Sequence, residues 1–116
     1  MAEQARLKGT FELMDTVTKK SPFSEPIEAI IAVVEYDSGK MIMDPSTTDE
    51  PLPMGGVTNG KVLYVSPSRS VDLKLNGALT PITLTKATAI FADFTGATFT
   101  TDADGPATIK YFVGGD

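Results

Sequence analysis

The chain contains no cysteine, no histidine and no tryptophan. Without cysteine there is no disulfide framework and no iron–sulfur site, and with histidine also missing the usual zinc and haem ligands are gone. Ser-His-Asp and Cys-His catalysis are excluded on the same ground. Basic charge is scarce: 10 Lys and Arg stand against 15 Asp and Glu, for a net charge of −5. The longest basic run is Lys19-Lys20. Such a field repels phosphate backbones, so nucleic acid is not an expected partner. Long apolar runs are missing too. The longest strictly apolar stretch, Ala29 to Val34, is six residues, whereas a spanning helix needs about twenty. No membrane partner is expected. The N-terminal Met1-Ala2-Glu3-Gln4-Ala5-Arg6 is polar and carries no apolar signal core, which points to synthesis and retention in a cytoplasm or to release by another route.

What is abundant is β-forming. Val, Ile and Thr supply 30 of the 116 residues, and Thr alone supplies 15. These side chains are stiff at χ1 and suit a pleated, half-buried surface. Ten Gly and eight Pro punctuate the chain at short intervals. Short runs between turn signals read as an all-β protein, an antiparallel β-sandwich or jelly-roll-like barrel of about seven to nine strands with at most one short helix. Length argues for a single domain over residues 1–116. The acidic excess lies in the first half: residues 1–58 carry five basic and ten acidic residues, and residues 59–116 carry five of each.

Arg6 to Lys19 alternates with period two, with Leu7, Phe11, Leu13 and Val17 on one face, and reads as a long strand. Ser21 to Pro26 breaks it. Ile27 to Tyr36 is a strand or, since Pro26 precedes Glu28, the start of a short helix. Strand is preferred, because Asp37-Ser38-Gly39 then turns a hairpin into Lys40-Met41-Ile42-Met43. Residues 44–60, with three Pro and two Gly by Gly56, read as a long exposed loop that is mobile or reaches a neighbour. Beyond it, strands are expected at Val62–Val65, Arg69–Leu75, Ile82–Leu84, Ala89–Phe94, Ala97–Thr100 and Ala107–Val113, with a tight turn at Asn76-Gly77. Leu13, Val65, Leu73, Leu75, Leu84, Ile90 and Ile109 are the expected core.

Several partial motifs fail their own tests. Gly55-Gly56-Val57-Thr58-Asn59-Gly60-Lys61 fits seven positions of a phosphate-binding loop, but the eighth is Val62 in place of Ser or Thr, and a strand follows where a helix is needed. Asp102-x-Asp104-Gly105 echoes a calcium loop, but its twelfth position is Val113, so an acidic turn is the expectation. A looser site completed by Asp93 or Asp72 has no further support. The acids read as solvated surface. No catalytic residue, cofactor or metal ligand is assigned, and no enzymatic activity is expected. The aromatics, Phe11, Phe23, Tyr36, Tyr64, Phe91, Phe94, Phe99, Tyr111 and Phe112, are expected mostly in the core. Two positions break their patterns and are the candidate interface residues. Asp15 interrupts the apolar face of the first strand. Phe112 lies opposite the Ile109, Tyr111, Val113 face of the last one.

The second half is laid out as Val62-Leu63-Tyr64-Val65, then Val71-Asp72-Leu73-Lys74-Leu75-Asn76-Gly77, then Pro81-Ile82-Thr83-Leu84, Ile90-Phe91, and finally Ala107-Thr108-Ile109-Lys110-Tyr111-Phe112-Val113-Gly114-Gly115-Asp116. This order resembles small all-β virion structural proteins of tailed bacteriophages over residues 57–116. The resemblance implies a capsid decoration or head-accessory subunit working through protein–protein surfaces, placed in the virion after assembly in the host cytoplasm. It implies other virion proteins, capsid or tail, as partners, and a homo-oligomer. A tail or connector component, or a β-sandwich module binding a carbohydrate or host surface, is the alternative.

Overall fold

The structure, a computed structural model, describes residues 3–13, 17, 18 and 23–116, with only the backbone described for residues 11–13. Among the described residues there is no helix, and ten strands, all paired antiparallel, make three sheets. β1 (Glu3–Leu13) and β2 (Phe23–Val33) form a two-stranded hairpin. β3 (Glu35–Met43), β10 (Ala107–Gly115), β5 (Gly60–Pro67) and β8 (Thr88–Phe94) make one four-stranded sheet, in that spatial order. β4 (Glu50–Pro51), β9 (Ala97–Thr100), β6 (Val71–Leu75) and β7 (Ile82–Leu84) make the other. The all-β expectation holds, with ten strands in three sheets where seven to nine in one unit were expected.

One core draws on both four-stranded sheets. Leu63, Val65, Ile109 and Val113 come from the first, and Val71, Leu73 and Phe99 from the second, and all seven are fully buried. Period-two alternation puts them there: Ala107, Ile109, Tyr111 and Val113 of β10 all point inward, as expected. Of the remaining expected core residues, Leu84 is buried, Leu75 and Ile90 are partly buried against the core, and the side chain of Leu13 lies outside the described residues. Asn76 and Gly77 both take positive φ, 57° and 70°, and the Ala78 N–H donates to the Leu75 carbonyl at 3.0 Å, closing the expected tight turn.

Three expectations are corrected. Asp37-Ser38-Gly39 does not turn; it runs through the middle of β3, opposite Val113, Phe112 and Tyr111 of β10. The reason is long-range. The Tyr111 hydroxyl donates to the Asp37 carboxylate at 3.2 Å, and a side chain at residue 39 would press on that hydroxyl, so Asp and Gly here serve a buried tyrosine. The chain bends instead at Val34, whose N–H donates to the Gly115 carbonyl at 2.8 Å. Ser21–Pro26 is likewise no break in its described part, because Ser24, Glu25 and Pro26 pair with Glu12, Phe11 and Thr10. The 44–60 stretch is not a free loop. β4 pairs with β9, Leu52 and Val57 are buried, and Thr101 fastens the segment. The Thr101 hydroxyl donates to the Asp44 carbonyl at 2.7 Å and accepts the Thr47 N–H at 2.9 Å.

Candidate docking surface

The β1–β2 hairpin is an arm. Its register pairs Ala5 with Ile31, Leu7 with Ala29 and Gly9 with Ile27, which gathers the apolar side chains on one face. The other face pairs Arg6 with Ile30 and Lys8 with Glu28. Arg6 and Glu28 approach to 3.9 Å at the surface, a contact of small energetic weight. Away from its base the arm is open to solvent at Lys8, Gly9, Thr10 and Ser24 to Pro26. The radius of gyration, 15.9 Å, exceeds the value of about 13 Å for a compact chain of this size, as a projecting arm requires.

The base of the arm rests on the outer face of the β3-β10-β5-β8 sheet. Gly114 makes this possible. A methyl group there would stand 3.1 Å from Val33 and 3.0 Å from the Phe112 ring, so the missing side chain lets buried Val33 lie on the strand. The Phe112 ring stacks on Tyr36 at 5.8 Å between centroids, with 19° between ring planes. Tyr64 is its cross-strand neighbour on the other side. Gln4, Ala5, Arg6 and Leu7 of the arm and Val62, Tyr64, Ala89, Phe91 and Phe112 of the sheet enclose an open cleft of about 330 Å³. An apolar surface runs from the cleft onto the arm, and parts of it remain open: Leu7, Tyr64 and Tyr36 are each exposed.

Phe112 therefore faces outward as its sequence parity implies, but it is half-buried, covered in part by Tyr36 and the arm base. Asp15 lies outside the described residues. Tyr36, Tyr64 and Phe91, expected in the core, belong to this outer surface; the core aromatics are Phe94, Phe99 and Tyr111. Alternation in β5 could have given Tyr64 away, since it has the opposite parity to Leu63 and Val65. Tyr111, by contrast, is held in the interior. Burial raises its hydroxyl pKa, and the neighbouring negative Asp37 and the hydrogen bond to it push in the same direction.

Two other depressions are polar. The larger, about 500 Å³, is lined by Asn59, Lys61, Asn76, Asp93, Phe94, Thr95 and Asp116. Its polar groups already serve each other: Lys61 sits 3.7 Å from Asp116, and the Asn76 side-chain oxygen accepts the Thr95 N–H at 2.7 Å. In the smaller, the Thr83 hydroxyl donates to Asp72 at 2.7 Å. Among the described residues no three acidic side chains converge, and Asp102 accepts the Asp104 N–H at 3.0 Å within its own turn. The phosphate-loop echo opens β5, a strand. Compared with protein-family models, with curated proteins and with solved structures, the chain matches none.

Proposed function

We propose that this chain is a non-enzymatic structural subunit of a tailed-phage virion, a capsid decoration or head-accessory protein that joins the particle through protein–protein surfaces. In this proposal the two four-stranded sheets are a β-sandwich body and the hairpin is its docking arm. The observation that carries it is the arm, an eleven-residue pair of strands whose apolar face beyond Val33 is, among the described side chains, half-buried or exposed. A two-stranded ribbon is marginal alone in water, and an apolar patch of this kind marks a contact surface. The strand order of residues 57–116 supports the virion assignment. A tail or connector position would use the same surface.

Particles purified from the phage that carries the gene provide the test. The chain is expected in them, and virions grown without it are expected to take up the purified protein. Leu7→Lys with Ile31→Lys, and separately Phe112→Ser, are expected to reduce that uptake at least tenfold with an unchanged far-UV spectrum. Particles that lack the chain, or that take up both variants at the wild-type level, contradict the proposal.

A further inference from the structure

We propose that β3 is a self-association edge: two copies of this chain pair their β3 strands antiparallel, with Ser38 of one facing Ser38 of the other. The proposal concerns the chain alone in solution and stands apart from the virion assignment.

An edge strand offers unpaired N–H and C=O groups, and proteins normally shorten, bulge or break such edges. Three of the four edges of the large sheets are so treated. β4 has two residues and β7 three, and the pairing of β8 with β5 shifts register between Gly60 and Val62. β3 is neither short nor bulged, and its guards are charges alone, Lys40 on the outer side and Asp37 on the inner. It pairs with β10 in one unbroken register over nine residues, Glu35 to Met43, and contains no proline. Among the described residues its backbone pairs with no strand except β10. Gly55 and Gly56 lie beside Asp37 and Glu35, whose carboxylates are on the inner side of the strand.

The side chains along the outer side of this edge complement themselves. Tyr36 and Ile42 on this side of β3, and Val34 at the bend just before it, are 52%, 80% and 75% exposed; of the three, only Tyr36 has a ring stacked against it, Phe112 on one face. Ser38 and Lys40 lie between them. Antiparallel pairing about Ser38 sets Val34 against Ile42 and Tyr36 against Lys40, each twice by symmetry, as an isologous contact requires. Apolar and aromatic cross-strand pairs are the stabilising unit of such ladders. A shift of two residues either way loses this match, placing Tyr36 against Ile42 and Ser38 against Lys40, or Val34 against Lys40.

Charge points to the same arrangement. The acidic residues of the strand, Glu35 and Asp37, are in its first half and the basic one, Lys40, is in its second. Antiparallel pairing brings unlike halves together, whereas parallel pairing brings like halves together. Within its own sheet Lys40 faces Lys110 directly, and among the described residues neither makes an ion pair. Like charges so placed are unfavourable. Phe112 covers one face of the Tyr36 ring, and the half-exposed ring keeps another face for the ammonium of the second copy's Lys40. The two-fold axis runs perpendicular to the sheet, so the eight strands form one continuous sheet and both arms stand on the same side of it.

The chain has no cysteine, so Ser38→Cys introduces a single thiol. Facing residues of an antiparallel pair have Cα atoms about 4.5–5.5 Å apart, within disulfide reach. Under mild oxidation the full-length S38C chain is expected to form a covalent dimer much faster than Ser70→Cys, an exposed site on no proposed contact. Lys40→Cys should lag likewise, because its symmetry mate is four residues along the strand, roughly 13 Å away. Sedimentation velocity supplies a test without cysteine. Val34→Lys and Ile42→Glu alone are each expected to weaken the dimer about tenfold, since each change breaks two cross-strand pairs. Combined in one chain, the two substitutions set an ammonium against a carboxylate at both symmetric pairs and should restore the dimer. A wild-type chain that stays monomeric at the highest soluble concentration, S38C crosslinking no faster than S70C, or a double variant no stronger than the singles overturns the proposal.

Discussion

The arm and the body use the same alternation of apolar and polar residues to different ends. In β10 the inward residues Ala107, Ile109, Tyr111 and Val113 join the core shared with the other four-stranded sheet and are all buried. In the arm, Ile27, Ala29 and Ile31 form as regular a stripe, yet they are only half-buried, and Leu7 across from Ala29 is exposed. Alternation makes a strand and decides which of its faces is apolar. Whether that face is covered depends on a second layer, and the arm brings none. Stability should therefore reside in the body, and in the proposed function the arm's apolar face is the part that meets a partner.

The largest expected effect is in the body. Leu73 is fully buried between the sheets, so Leu73→Ala should cost about 2–5 kcal/mol in chemical denaturation. A loss below about 0.5 kcal/mol would put Leu73 at the surface and undo the register of β6. At the boundary between body and arm, a double-mutant cycle on Tyr36→Ala and Phe112→Ala should give a coupling of about 0.5–1.5 kcal/mol for the stacked rings. No coupling would mean that Tyr36 does not cover Phe112 in solution. The arm itself should be the least sensitive. Ile30→Thr, at a half-exposed position, should change unfolding free energy by no more than about 0.5 kcal/mol.

One pH effect separates the regions as well. The Tyr111 hydroxyl pKa is raised in the folded chain, so folding favours its neutral form. The stability this contributes is fully present below the ordinary tyrosine value of 10.0 and is lost as pH rises above it. Wild type should therefore lose stability more steeply than Tyr111→Phe in denaturation series carried above that pH. Parallel curves would mean that Tyr111 is not held by burial and Asp37.

Much of the second half was legible because its signals are local. Turn residues such as Asn76-Gly77 and the strict parity of β6 and β10 place six strands with little error. The first half misleads where a residue serves a distant partner. Asp37 and Gly39 look like a turn, but one accepts from Tyr111 and the other gives it room. The 44–60 stretch looks loose because its fastenings, Thr101 and β9, lie some fifty residues away in sequence. Of the candidate docking surface only Phe112 was singled out from the sequence, although the parity of β5 also marks Tyr64. Its other members, Tyr36, Tyr64, Phe91 and the arm base, converge through sheet order and through Gly114, whose reason is a contact with Val33.

Hydrogen–deuterium exchange on the free, full-length chain compares arm and body most directly. If the arm is a contact element outside the folding unit, amides of β1 and of β2 up to Ala32 exchange orders of magnitude faster than those of β5 and β10, and become protected when the chain joins its assembly. Arm amides as slow as those of β10 in the free monomer would contradict that account, because they would place the hairpin within the same cooperative core.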